Sequence, residues 1–212
     1  MPYALVRELL MVRKQMIPPF LSQMVQSAIT LFDGVEFTHI SPQCRVCASP
    51  LRRHDLKQKR FATLLENEAL KPVYVKVARY RCTGCGRLWY ADEPFYPDTR
   101  HGVVIVDLAV AIAQKHPYNK TARLLQALGI RIDRGTVRNY APRFSVHSTE
   151  MYGIPVPTRI LSLSGLIAEG RSVKGAELLA ALGLPYAKGA FPRPLKKDDR
   201  ERIEEELIPE ER

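Results

Sequence analysis

All four cysteines of the 212-residue chain lie in two pairs with the same spacing, Cys44-x-x-Cys47 and Cys82-x-x-Cys85. A turn of this kind lets two thiolates reach one tetrahedral ion, and a second turn from a distant strand completes a four-sulfur structural zinc site. The 34 residues between the pairs exceed the commonest spacing, so we expect them to form a finger of their own. The sequence therefore predicts one zinc ion held by Cys44, Cys47, Cys82 and Cys85.

Disulfide bonds and an iron centre are the alternatives to zinc. Cysteines separated by two residues pair poorly as structural disulfides, and the sequence shows no export signal, which also predicts a cytoplasmic protein. Four thiolates suit iron as well as zinc, so a rubredoxin-like iron site stays open. His54 lies between the two pairs. Because four cysteines already fill the ligand shell, we interpret His54 as an exposed polar residue.

Two strands are expected to position the second cysteine pair. Apolar and polar residues alternate over 73–80, which is typical of a strand. The glycines of Cys82-Thr-Gly-Cys-Gly86 permit the positive φ that a tight metal-binding turn needs, and 88–90 returns as the partner strand. This order predicts a zinc ribbon over 41–93, within which 61–70 fits a short helix, a strand or a loop.

Positive charge is concentrated in the middle of the chain. The formal net charge is +10, and residues 41–100 carry 12 basic and 6 acidic side chains, with a dense basic run over 52–60. Residues 101–147 carry 7 basic and 2 acidic side chains, whereas 1–40 and 148–212 are close to neutral. Such a block is typical of proteins that bind a polyanion, although a merely soluble basic surface has the same composition. No run of about eighteen apolar residues occurs, so the sequence predicts no transmembrane span.

Three helices are predicted after the ribbon, and the last two form a helix-turn-helix. The first covers 103–115, the second covers 120–128 with Asn119 as its N-cap and Gly129 after its end, and Asp133 caps the third. We expect the third helix to read base edges, because Arg and Asn can bond in a bidentate way to guanine and adenine. Nearby cations are expected to contact phosphates. The predicted DNA-binding residues are Lys120, Arg123 and Arg131 for phosphates, and Arg134, Thr136, Arg138 and Asn139 on the third helix.

The flanking segments are predicted to be helical. Apolar stripes predict a helical hairpin over 1–40, from helices over 3–16 and 20–32, which packs on the rest of the chain or pairs with another copy as a homodimer. Residues 148–212 are predicted to form a helical, Pro-punctuated region with an acidic tail, with a linker over 148–157 and helices over 158–168 and 173–182. The expected fold class is α+β: a small β zinc ribbon followed by an all-α helix-turn-helix domain over 102–147, with helical N- and C-terminal flanks.

The run Arg79-Tyr-Arg-Cys-Thr-Gly-Cys-Gly86, followed by an aromatic strand, a linker and a helix-turn-helix, resembles the N-terminal DNA-binding half of prokaryotic insertion-sequence transposases. The likeness covers about residues 41–147 and depends on the order of the modules more than on any one motif. It implies that the chain binds double-stranded DNA at the terminal inverted repeats of such an element.

In that family, a catalytic domain of RNase H-like fold with an Asp-Asp-Glu triad follows the DNA-binding modules. Here only 65 residues follow position 147, and their acidic residues are mostly bunched over 198–211. That is too little chain to place carboxylates on separate elements around two metal ions. We therefore predict no strand transfer and no catalytic residue. A stand-alone transcriptional regulator and a zinc-stabilised protein-interaction adaptor are the alternative functions.

Overall fold

The computed structural model describes residues 17–66, 69–168 and 173–184. The helix predicted over 3–16 and the acidic tail lie outside these ranges. Within them, the chain forms a four-stranded sheet, a two-stranded sheet and six helices. The strands are β1 (Glu36–Phe37), β2 (Leu51–Glu66), β3 (Ala69–Cys82), β4 (Leu88–Tyr90), β5 (Ser148–Met151) and β6 (Ile154–Pro157). The helices are α1 (Pro19–Thr30), α2 (Val103–Ala113), α3 (Tyr118–Ala127), α4 (Arg134–Tyr140), α5 (Thr158–Ala168) and α6 (Gly175–Ala181).

Strand β3 is the centre of the larger sheet. It pairs antiparallel with β2 along its whole length, and its other edge pairs in parallel with β1 and antiparallel with β4. The alternation predicted over 73–80 is confirmed, because Val73, Val75 and Val77 are fully buried. Within the ambiguous segment over 61–70, residues 61–66 and 69–70 are strand.

The predicted fold class is wrong in separating a small ribbon from an all-α helix-turn-helix domain. The ribbon is the end of a long hairpin, whose strands have 16 and 14 residues. The turn between α3 and α4 is hydrogen-bonded to the edge of β2, since Arg131 N–H donates to Thr63 O at 2.9 Å and Leu65 N–H donates to Gly129 O at 2.8 Å. These bonds make the helix pair part of the sheet structure, and strands and helices share one hydrophobic core. The architecture is α+β with β2 and β3 at its centre and helices distributed around them.

The core lies where the half of the hairpin nearest its turn meets the helices. The Phe61 ring stacks on Phe32 with centroids 4.2 Å apart and meets Phe95 edge-on at 5.9 Å. Gly102 lies against the Phe61 ring so closely that a Cβ would overlap it. Helix α2 follows directly and is buried along almost its whole length, which explains its uniformly apolar sequence. None of the helices in the described ranges has the length and apolar content that a membrane crossing requires.

The predicted helix caps are confirmed in two places and wrong in one. Asp133 Oδ1 accepts a hydrogen bond from Thr136 N–H at 2.8 Å, so Asp133 is the N-cap of α4. Gly129 has a φ of 83° directly after the last turn of α3, as a C-terminal glycine should. Asn119 is not a cap, because α3 begins at Tyr118, two residues earlier than predicted, directly after Pro117. A proline can precede a helix in this way since the first N–H groups of a helix have no partner within it.

The Pro-punctuated linker predicted over 148–157 is a β-hairpin, β5–β6, in which Ile154 and Val156 are fully buried. The linker was predicted because of the prolines in this segment. In a two-stranded sheet each strand has an outer edge, where the missing N–H of a proline interrupts no ladder. The helix predicted to follow this segment is observed with the same bounds, as α5.

Candidate metal centre and nucleic-acid interface

The four cysteine sulfur atoms converge at the end of the β2–β3 hairpin that lies away from its turn. Cys44 Sγ lies 3.7 Å from Cys85 Sγ, Cys47 Sγ lies 3.3 Å from Cys82 Sγ, and all four sulfur atoms are within 4.8 Å of one another. All four thiols are free. Thiolates bound about 2.3 Å from a tetrahedral zinc ion lie about 3.8 Å apart. The cluster has that size, so these cysteines can bind a metal ion.

The two cysteine turns have the same backbone hydrogen bonds. Ala48 N–H donates to Cys44 O at 2.9 Å, and the equivalent Gly86 N–H donates to Cys82 O at 3.1 Å. In both turns, the N–H of the first cysteine donates to a carbonyl five residues later, at 2.9 Å. Ala48 and Gly86 both have positive φ, 56° and 70°. The chain thus builds two matching half-sites, with glycine at the strained position in only one of them.

Ser49 connects the two turns and shapes the electrostatics of the cluster. Hydrogen bonds from the Ser49 hydroxyl and backbone amide lower the pKa of the Cys47 thiol to about 6. A Cβ on Gly84 would overlap the Ser49 hydroxyl, so only glycine allows the turns to approach this closely. A backbone hydrogen bond from Arg87 acts to lower the pKa of Cys85, but burial and the three neighbouring sulfur atoms raise it to about 11. A bound cation, which favours the thiolate form, would offset this rise at Cys85.

What this site does has to follow from its own residues. Comparison with protein-family models, curated proteins and solved structures finds no match. The resemblance to insertion-sequence transposases stays a prediction. The charge around the cysteine cluster bears on its function.

The cysteine end of the hairpin carries exposed arginines that face one another. Arg52 and Arg81 are directly opposite in the β2–β3 ladder, next to the pair formed by Leu51 and Cys82. In the part of the chain that the structure describes, neither guanidinium is ion-paired with a carboxylate. Like charges directly opposite each other in a sheet are destabilising. An anionic partner would remove that cost. His54 is exposed nearby, in agreement with its interpretation from the sequence.

The residues predicted to bind DNA lie along the α3–α4 helix pair, but not as a long recognition helix would place them. Helix α4 has only seven residues, so Arg138 and Asn139 lie in its last turn and not in the early turns that meet base edges. Thr136 is half-buried, and its hydroxyl donates to Asp133 Oδ2 at 2.7 Å, which makes it part of the cap. The remaining residues of the set are exposed: Lys120 and Arg123 on α3, Arg131 in the turn, and Arg134, Arg138 and Asn139 on α4. Base reading by this set stays a prediction.

A basic cleft of about 500 Å³ lies between β2 and the start of α4. Burial lowers the pKa of His101, and Asp133 opposes this only in part, so the imidazole is neutral at neutral pH. The basic run over 52–60 is visible in the sequence, but its position on a strand that faces α4 is not. The sequence also contains no pattern that places the residues before α2 in the same cleft. The charged or titratable residues that line the cleft are Lys57, Lys59, Arg60, Arg100, His101 and Asp133.

Proposed function

We propose that this chain is a zinc protein that binds double-stranded DNA through the basic surface of its β2–β3 hairpin and of the helix pair tied to that hairpin. The observation that carries the proposal is the facing pair Arg52 on β2 and Arg81 on β3. Arg81 directly precedes Cys82 of the cysteine cluster, which lies at the ends of these two strands. A metal ion that fixes the strand ends fixes these two cations close together. Regularly spaced phosphates of a duplex are the counter-charge that such a rigid cationic edge fits.

Zinc is proposed over iron because four thiolates without an open position form its usual structural site. The measurement is metal analysis of the purified protein, with one zinc ion per chain as the expected result. The variant Cys82→Ser should lower the metal content sharply. An intense visible absorption with iron in place of zinc would contradict this part of the proposal, and the DNA proposal would still stand.

The DNA proposal is tested by titrating duplex DNA at increasing salt. Contacts to about six phosphates would weaken binding about 1,000-fold between 50 and 200 mM salt. The double variant Arg52→Ala/Arg81→Ala should reduce the slope of log affinity against log salt by about 2, since each phosphate contact contributes about 0.9.

The matched control is Lys71→Ala/Lys76→Ala on the same hairpin, which removes the same charge. These two lysines are exposed and ion-paired with Glu66 and Glu36. The control should leave the slope almost unchanged. Equal slopes for both double variants, or a wild-type affinity that does not depend on salt, would contradict DNA binding by this surface.

The resemblance to transposases extends the proposal to a target, the terminal inverted repeats of an insertion element. Exposed Arg138 and Asn139 are the residues that would discriminate bases. The test is competition between duplexes that carry inverted repeats flanking the gene and scrambled duplexes of the same length. Equal competition would restrict the function to binding without sequence preference.

A further inference from the structure

Among the residues that the structure describes, two of the cations that line the cleft between β2 and α4 have side chains without a hydrogen-bond or ion-pair partner. Lys59 is ion-paired with Glu93 at 2.6 Å, and Lys57 Nζ lies 3.5 Å from the Tyr90 hydroxyl. By contrast, the side chains of Arg60 and Arg100 form no hydrogen bond or ion pair within the described ranges. Both are exposed to solvent and line the same cleft. The cleft therefore presents two free guanidinium groups together.

Backbone hydrogen bonds fix the segments that carry these guanidinium groups. Gly102 N–H donates to Phe61 O at 2.8 Å, which sets the chain before α2 beside the Arg60 end of the strand. Arg131 N–H donates to Thr63 O at 2.9 Å, which sets α4 on the other side. Since these backbone hydrogen bonds hold both segments against β2, the cleft is formed before any ligand binds.

Asp133, the acid that lines the cleft, forms no ion pair with these cations within the described ranges. Both carboxylate oxygens of Asp133 accept hydrogen bonds from Thr136, one from the N–H and one from the hydroxyl. His101 Nδ1 lies 2.9 Å from the Tyr140 hydroxyl, which also accepts the N–H of Arg100. The hydroxyl can then donate its own proton to Nδ1, and Nε2 of the neutral ring becomes a further donor. The lining thus offers donors and positive charge to an oxyanion.

We propose that this cleft binds a backbone phosphate of the nucleic acid, with Arg60 and Arg100 as the two residues that contact it. The inference rests on the proposed function and adds a second contact site to the pair Arg52 and Arg81. Both sites lie on β2, eight residues apart. At about 3.3 Å per residue this is roughly 26 Å, less than the ~34 Å of one turn of B-DNA. The two sites are therefore separated along β2 by less than one helical turn of DNA.

The experiment compares the double variant Arg60→Ala/Arg100→Ala with Lys71→Ala/Lys76→Ala in a salt titration of duplex binding. Each phosphate contact near 100 mM salt contributes about 8-fold, so the cleft variant, which loses its one phosphate, should bind about 8-fold more weakly and lose about 1 from the salt slope. Both arginines are exposed, so the variant should fold, and zinc content with the circular dichroism spectrum checks this. A cleft variant that binds as tightly as the lysine control overturns the proposal.

Two further outcomes separate the sources of phosphate and the two proposals. Inorganic phosphate is added to the wild type while the His101 imidazole signals are followed by NMR. A shift of these signals, combined with DNA binding that the cleft variant leaves intact, would assign the cleft to free phosphate and overturn the backbone contact. If Arg52→Ala/Arg81→Ala weakens DNA binding and the cleft variant does not, only the second site is refuted. If the wild type fails to bind DNA, both proposals fall.

Discussion

The two ends of the β2–β3 hairpin are held together by different means. Near the hairpin turn, Phe61, Leu64 and Val73 are fully buried against the helices. At the cysteine end, Val46 and Leu88 are about half exposed, at 53% and 47%, and the strands carry facing arginines in place of apolar pairs. The same two strands therefore pass from a hydrophobic core to a surface with almost no core of its own.

This difference explains why the cysteines lie where they do. A segment that cannot bury enough apolar surface needs another source of stability, and a metal ion bound by four thiolates is one such source. With a bound metal ion the strand ends would not need apolar side chains to stay paired. Arginines can therefore occupy these positions and remain exposed. The core end supplies rigidity by packing, and a metal ion bound at the cysteine end would make its cationic surface rigid.

The largest effect expected from this comparison is that of Phe61→Ala at the core end. Phe61 is fully buried, stacks on Phe32 and packs against Gly102, so its removal leaves a cavity that the surrounding backbone cannot close. The free energy of unfolding should fall by about 3–5 kcal/mol, measured by urea denaturation. Leu88→Ala, at the exposed cysteine end, is the control and should cost less than about 0.5 kcal/mol. Similar costs at both ends would remove the distinction between them.

Removal of the metal by a chelator should open the cysteine end alone. The amides of Ala48 and Gly86 are hydrogen-bonded inside the two cysteine turns, and their protection from hydrogen exchange should be lost. The amide of Gly102, bonded to Phe61 at the core end, should keep its protection, and the helical circular dichroism should persist. Loss of helical signal on chelation would show that the metal supports the whole fold and not only one end of the hairpin.

What the sequence predicts well is encoded over short distances. The spacing within each cysteine pair determines the turn, the alternation over 73–80 determines β3, and Asp133 caps α4 with its own side chain. Each of these features needs only neighbouring residues to be recognised. They were predicted because a local pattern and a local structure coincide.

What the sequence does not predict depends on contacts between distant segments. Strand β2 has no clean alternation, because irregularities between Arg53 and Asp55 and between Arg60 and Ala62 shift its register. The hydrogen bond from Arg131 to Thr63 spans two segments whose pairing leaves no pattern in either one. For this reason the helix pair was predicted as a separate domain, and the cleft that it forms with β2 was not predicted at all.

The smallest expected effect concerns the one difference between the two cysteine turns. Ala48 occupies the left-handed position that Gly86 occupies in the second turn, at a cost of about 1–2 kcal/mol for a residue with a Cβ. Glycine loses more backbone entropy on folding, about 0.5–1 kcal/mol, so Ala48→Gly should gain about 0.5–1 kcal/mol net. Since every 1.4 kcal/mol is a tenfold change, zinc affinity measured by competition with a chelator should rise about 2- to 5-fold. Gly86→Ala should weaken the zinc affinity. A Cβ at this position meets no neighbouring atom, so the effect would come from backbone strain alone. If the two substitutions leave the affinity unchanged, the turns already hold these conformations before the metal binds, and the cysteine end is more rigid without metal than its exposure indicates.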